Sequence, residues 1–326
     1  MFVSILLVMN RLKTPLLFVW ITILVLPIKG QLLLHSPEWL FEKFPVFNES
    51  YIKQRHIKSI TFDIIDKKDW QEPDDKDLTE VYEFDKEGRI LRKYHTGVNK
   101  IVRYETHNKK RKNIVINEHI EYDTISTEYI YQPNVLIERS IYPNNYIEAT
   151  YFKKCGKWIC KEEKYIETYR QLSTGGKVLD KLLLKAQDSI ATYDFGKQIK
   201  QVYFNNEKLP YKEKFIYLND QKQIVEITEQ LVVANGKIKK VFDYNSAGQL
   251  EDAVMVVDYG VPETYSIHLY YDKQGRVESE KQFKNNKELK EYQYIYSENN
   301  QELKSILIRH FDESSIRIIK LKMGYY

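Results

Sequence analysis

The sequence predicts an all-β protein, an extended or curved antiparallel meander of hairpin repeats preceded by one short helix. Three observations lead there. Apolar and polar residues alternate, as in Ile60, Phe62, Ile64 and in Tyr265, Ile267, Leu269, Tyr271, the period of a strand with one buried face. Turn-forming Gly, Asn, Asp and Pro punctuate the chain from Gly88 to Asn300, leaving strands of roughly eight to ten residues. An aromatic, an Asp or Asn, and a Gly recur at one fixed spacing.

Residues 1–30 come first and read as an export signal. Leu16 to Leu26 is apolar except for Thr22, follows Arg11 and Lys13, and exits through Pro27, Ile28, Lys29 and Gly30 before Gln31. A charged start, an apolar core and a small-residue exit define a cleavable signal peptide. The apolar run over 15–28 is shorter than the ~20 residues that span a bilayer. Cleavage is expected after Gly30, with Met1 or Met9 as the start. The destination is the periplasm, the cell surface or the extracellular space of a bacterium, with the membrane touched only through the signal.

Cleavage removes Arg11, Lys13 and Lys29 and no acid, so the formal charge falls from +4 to +1. A nearly neutral chain has no general attraction for phosphate backbones, and no nucleic-acid partner is expected. Lys109, Lys110, Arg111 and Lys112 therefore read as a solvated turn.

Residues 31–56 form an N-terminal segment. Ser36 to Phe44 is predicted as its helix, with Ser36 as cap, Pro37 at the first helical position and Glu38 in the first turn. Residues 57–326 form the β-repeat domain, with a possible division near 177–195. There, Lys177 to Ala186 fits a helix and a strand equally.

The repeat is Phe84, Asp85, Gly88; then Tyr244, Asn245, Gly248; then Tyr271, Asp272, Gly275. Its chemistry is that of a turn. The aromatic closes one strand facing inward, Asp or Asn accepts from the backbone two residues on, and Gly takes the positive φ that ends the turn. Arg89, Gln249 and Arg276 follow and are expected to face solvent.

Leu269 to Val277 (LYYDKQGRV), and less fully Tyr82 to Ile90 (YEFDKEGRI), resemble the Tyr-Asp repeat of Rhs and teneurin-type shells. That resemblance implies strongly bent β-hairpin sheets in secreted or cell-surface settings; some such shells enclose a toxin. This chain has few full repeats and no recognisable toxin or self-cleavage segment. Strands such as Arg276 to Gln282 are polar on both faces, and 26 tyrosines stand against 12 glycines. Both features suggest a thin sheet whose amphipathic rings cover one another.

No residue set points to catalysis, to a cofactor or to a metal. The seven histidines stand at no ligand spacing, no Ser is flanked as a nucleophile elbow, and no glycine-rich loop cradles phosphate. Asp66 to Asp77 is acidic but carries Lys68 at a ligand position, so it reads as a loop. Cys155 and Cys160 enclose Gly156, a spacing that suits a hairpin disulfide in an oxidising space.

The function expected is therefore non-enzymatic, a binding or structural role toward a protein or carbohydrate partner, in an undefined oligomeric state. A polysaccharide-acting enzyme with an aromatic-lined groove and an outer-membrane β-barrel are the alternatives.

Overall fold

The computed structural model describes residues 31–326 apart from 42–44, 69, 71, 73, 109–112, 143–144, 155–156, 172–176 and 299–301. The expected export signal over 1–30, the Lys109–Lys112 run and Cys155 lie outside the described residues. Among the described residues one helix, α1 (Glu49–Gln54), precedes the strands. The first nine are β1 (Ile57–Lys68), β2 (Asp74–Phe84), β3 (Ile90–Asn108), β4 (Asn113–Gln132), β5 (Val135–Tyr142), β6 (Asn145–Lys154), β7 (Lys157–Gln171), β8 (Lys177–Asp194) and β9 (Gln198–Phe204). The rest are β10 (Pro210–Leu218), β11 (Ile224–Leu231), β12 (Lys237–Tyr244), β13 (Leu250–Asp258), β14 (Glu263–Tyr271), β15 (Val277–Lys284), β16 (Lys287–Tyr296), β17 (Leu303–His310) and β18 (Ser315–Tyr325).

Each strand pairs antiparallel with its neighbours in the chain, and β18 returns to β1 in register from Ile57↔Tyr325 to Lys68↔Ser315. The result is a closed 18-stranded barrel, which corrects the expected extended or curved meander. Local pairing is that of a meander. Closure adds one pairing between the chain's first and last strands, and so removes both sheet edges that a meander leaves open.

The expected helix over Ser36 to Phe44 is also corrected. Its described part is a set of turns, with the Trp39 amide donating to the Ser36 carbonyl, while Leu40 and Phe41 pack on the barrel wall. The helix forms instead beyond that segment, where Asn48 accepts from the Tyr51 amide and Glu49 and Lys53 suit the two ends of the dipole. Lys177 to Ala186 is strand, the start of β8.

The buried face is the inside of the barrel. Phe62 of β1, Tyr82 and Phe84 of β2, Ile227 of β11, Phe242 of β12, Ile267 of β14 and Ile306 of β17 join one core with Leu32, Phe47 and Ile52 of the N-terminal segment. That short segment reaches strands from β2 around to β12, which only a path through the interior allows. Leu136, Tyr151, Cys160, Ile190 and Tyr203 form a second cluster on the wall from β5 to β9.

The two rims differ. The turns after even-numbered strands, from β2 to β16, lie on the rim next to α1, while the long β3–β4 and β7–β8 ribbons rise beyond the opposite rim. Above Arg92–His95, β3 pairs only with β4, and below Ser189, β8 pairs only with β7.

Candidate functional site

The repeat residues gather on the α1 rim. Asp85 Oδ1 accepts from the Glu87 and Arg89 amides, Asn245 Oδ1 from Ala247 and Gln249, and Asp272 Oδ1 from Gln274 and Arg276, all at 2.8–3.0 Å. Gly88, Gly248 and Gly275 sit at φ +83, +75 and +79. Phe84, Tyr244 and Tyr271 each stand where the register shifts by a residue. Such a bulge increases twist and re-aims the side chain.

These turns are joined to one another. The tyrosine hydroxyls of Tyr131, Tyr244, Tyr271 and Tyr296 donate to the carbonyls of Ile90, Ile224, Leu250 and Val277, each the first residue of the preceding strand. Gln223 Nε2 donates to the Gly248 carbonyl at 2.9 Å and Gln249 Nε2 to the Gly275 carbonyl at 2.8 Å. The expected solvent-facing arginines are corrected as well. Arg276 Nε donates to Asp272 Oδ2 at 2.7 Å while its guanidinium lies 4.2 Å from the Tyr296 ring centre, and Arg89 repeats this with Asp85 and Tyr131.

Farther from that rim the inner wall turns polar. Lys212 Nζ stands 3.2 Å from Glu229 Oε2 and 4.2 Å from the Tyr203 ring centre. Lys214 is register-paired with Glu229, and Lys240, 7% exposed, lies 5.8 Å from the Phe41 ring centre. Glu38 of the N-terminal segment joins them. Burial pushes its carboxyl up, against the opposing pull of Lys214 and Lys240. Burial also pulls the Lys214 ammonium down, while Glu229, though buried, is held low by Lys212, Lys214 and Lys240.

A second contact between segment and wall is centred on His35. Its Nε2 lies 3.1 Å from the Tyr294 hydroxyl and 3.5 Å from Glu280 Oε2, and its Nδ1 lies 3.2 Å from Gln31 Nε2. Tyr294 donates to Glu280 at 3.2 Å, and Gln282 donates to the other carboxylate oxygen at 2.6 Å. Glu280 is 5% exposed. Burial drives the Tyr294 hydroxyl far above the ordinary phenol value. The arrangement anchors a chain segment and presents a polar lining; it stations no activated nucleophile.

Glu38 was expected only as a helix-turn acid, and Lys212, Lys214, Glu229 and Lys240 were not expected at a site. For Lys214 and Lys240 the signal lay in charges at strand positions two residues from buried Ile216 and Phe242. Glu280 lies in the strand that looked polar on both faces. Cys160 faces inward, opposite Tyr151 in the β6–β7 register. Of the acidic stretch, Asp66 pairs with Arg317 at 2.7 and 2.9 Å. Among the described residues no three metal-ligating side chains converge.

The outer face carries ion pairs along the strands. Arg92 reaches Glu83 and Glu128, and Arg139 reaches Glu128 and Glu148, a ladder from β2 to β6. Around the ring follow Lys200–Glu213, Lys239–Glu226, His268–Asp252 and Lys322–Asp63.

No family model and no curated protein matches this chain. Among solved structures it is similar to a porin-like protein from Bacteroides vulgatus ATCC 8482, at 10% identity and a TM-score of 0.33, over 83% of this chain and 98% of that one. It is also similar to the Photorhabdus luminescens Tc holotoxin pore carrying the TccC3-D651A mutation, at 8% identity and a TM-score of 0.20, over 73% of this chain and 21% of that one. Superpositions this loose carry no argument about function. What the chain's own pairing establishes is a closed 18-stranded antiparallel barrel.

Proposed function

We propose that this chain is an exported, water-facing β-shell of the Tyr-Asp repeat type, which holds its N-terminal segment inside and serves in binding or enclosure rather than catalysis. The observation that carries this is the charged outer belt. A lipid-facing strand needs apolar side chains, and each Arg or Lys at the bilayer midplane costs about 2–4 kcal/mol. Arg92, Arg139, Lys200 and Lys239 with their acidic partners stand on the face that lipid would contact. The repeat reading is supported by the turn-to-turn bonds on the α1 rim, and export by the sequence of residues 1–30.

An outer-membrane β-barrel is the second reading. Closure through an even number of antiparallel strands favours it, as does the contrast between tight turns on one rim and long ribbons on the other. Fractionation separates the two. The shell is expected in the soluble fraction without detergent and at the bottom of a flotation gradient with vesicles of bacterial outer-membrane lipid. Recovery only in detergent, or flotation with the vesicles, would establish the membrane barrel instead.

A further inference from the structure

The segment inside the barrel begins with a buried glutamine. Gln31 is 5% exposed and Leu32 beside it 1%, and residues 46–48 hold this stretch in place. The Asn48 side chain donates to the Gln31 carbonyl at 3.2 Å, the Asn48 amide to the Leu32 carbonyl at 2.8 Å, and the Leu34 amide to the Val46 carbonyl at 2.7 Å. The side-chain Nε2 of Gln31 lies 3.2 Å from His35 Nδ1. Cleavage after Gly30, part of the export reading on which this inference rests, makes this fixed residue the first of the chain.

A free chain end carries an α-ammonium, and a buried cation is costly unless an acid pairs with it. His35 and Asn48, the side chains hydrogen-bonded to Gln31, supply no negative charge. An N-terminal glutamine can remove the charge unaided. Its neutral α-amine attacks the side-chain carbonyl carbon Cδ, and the new C–N bond closes a five-membered lactam. The Cδ–Nε2 bond breaks, and the proton given up by the amine leaves with Nε2 as ammonia. No oxidant, cofactor or second substrate enters the balance. The ring is uncharged and keeps one N–H to offer His35 in place of the lost amide, while the main-chain carbonyl that Asn48 holds takes no part. We infer that Gln31 is a modification site, cyclised to pyroglutamate in the mature chain, so that the end buried in the barrel bears no charge.

Mass spectrometry of the exported chain tests this at its first peptide. Trypsin is expected to release residues 31–43 lighter by one ammonia in nearly every molecule. An isotope-labelled synthetic peptide of the same residues, beginning with an open glutamine, is added before digestion and reports the cyclisation that handling alone causes. That peptide is expected to keep its full mass. A chain that starts at Gln31 with its full mass, or is cyclised no further than the added peptide, would overturn the inference and leave the export reading standing. A terminus at any other residue would overturn the cleavage on which the inference rests, and the inference with it.

Discussion

Gly88 and Gly196 both sit at positive φ, +83 and +85, yet they face different surroundings. A Cβ on Gly88 would fall on the backbone carbonyl of Glu49 at the start of α1, whereas one on Gly196 meets nothing within 4 Å. Gly196→Ala therefore costs backbone strain alone, about 1–2 kcal/mol. Gly88→Ala adds a clash that α1 must move to relieve, so thermal unfolding should show a clearly larger loss, and limited proteolysis should find residues 31–56 newly cleavable. Equal losses for the two would show that α1 does not rest on this turn. On the polar wall, Glu229→Gln removes an acid that Lys212, Lys214 and Lys240 all face, leaving Glu38 near the last two, and should cost about 3 kcal/mol at neutral pH. Glu229 titrates below the ordinary carboxylate value. Its contribution is complete above that value and is lost as pH falls through the lowered one. The stability gap between variant and wild type should accordingly close in acid; a gap that persists there would assign it to packing.

At the scale of elements, four hairpins on the α1 rim are tied to the one before by a tyrosine hydroxyl, and two neighbouring pairs of turns are also tied by a glutamine amide. Tyr271→Phe keeps the buried ring and removes one donor to the Leu250 carbonyl, which should cost about 1 kcal/mol; no change in denaturant midpoint would contradict that role. The turn itself was legible, since Asp272, Gly275 and their equivalents follow from local backbone chemistry. Its outward links were not, because Arg276 finds Tyr296 and Gln249 finds the Gly275 carbonyl only after neighbouring hairpins have packed. The helix was misplaced for a related reason. Ser36 to Phe44 holds start signals, but Leu40 and Phe41 gain more from the wall than from a helical turn, while Asn48 caps the six residues that do become helical.

At the scale of the molecule, strand periodicity disclosed an all-β chain but not its closure. The pairing of Phe62 with Leu321 and of Ile64 with Ile319 joins residues with no local signal in common. A strand such as β15, polar on both faces, looked like part of a thin sheet. It belongs instead to a closed barrel whose inner wall is polar at the level of Glu280. Closure by β1 and β18 underlies the interior segment, the polar lining and the proposed shell alike. It is tested most directly by cysteines at Thr61 and Lys322, which are register-paired and lie on the face opposite the core, in a chain with Cys155 and Cys160 replaced. Closure predicts that mild oxidation forms an intrachain disulfide in nearly every molecule, seen as faster migration in denaturing electrophoresis that reductant reverses. Free thiols, or disulfides only between chains, would contradict it.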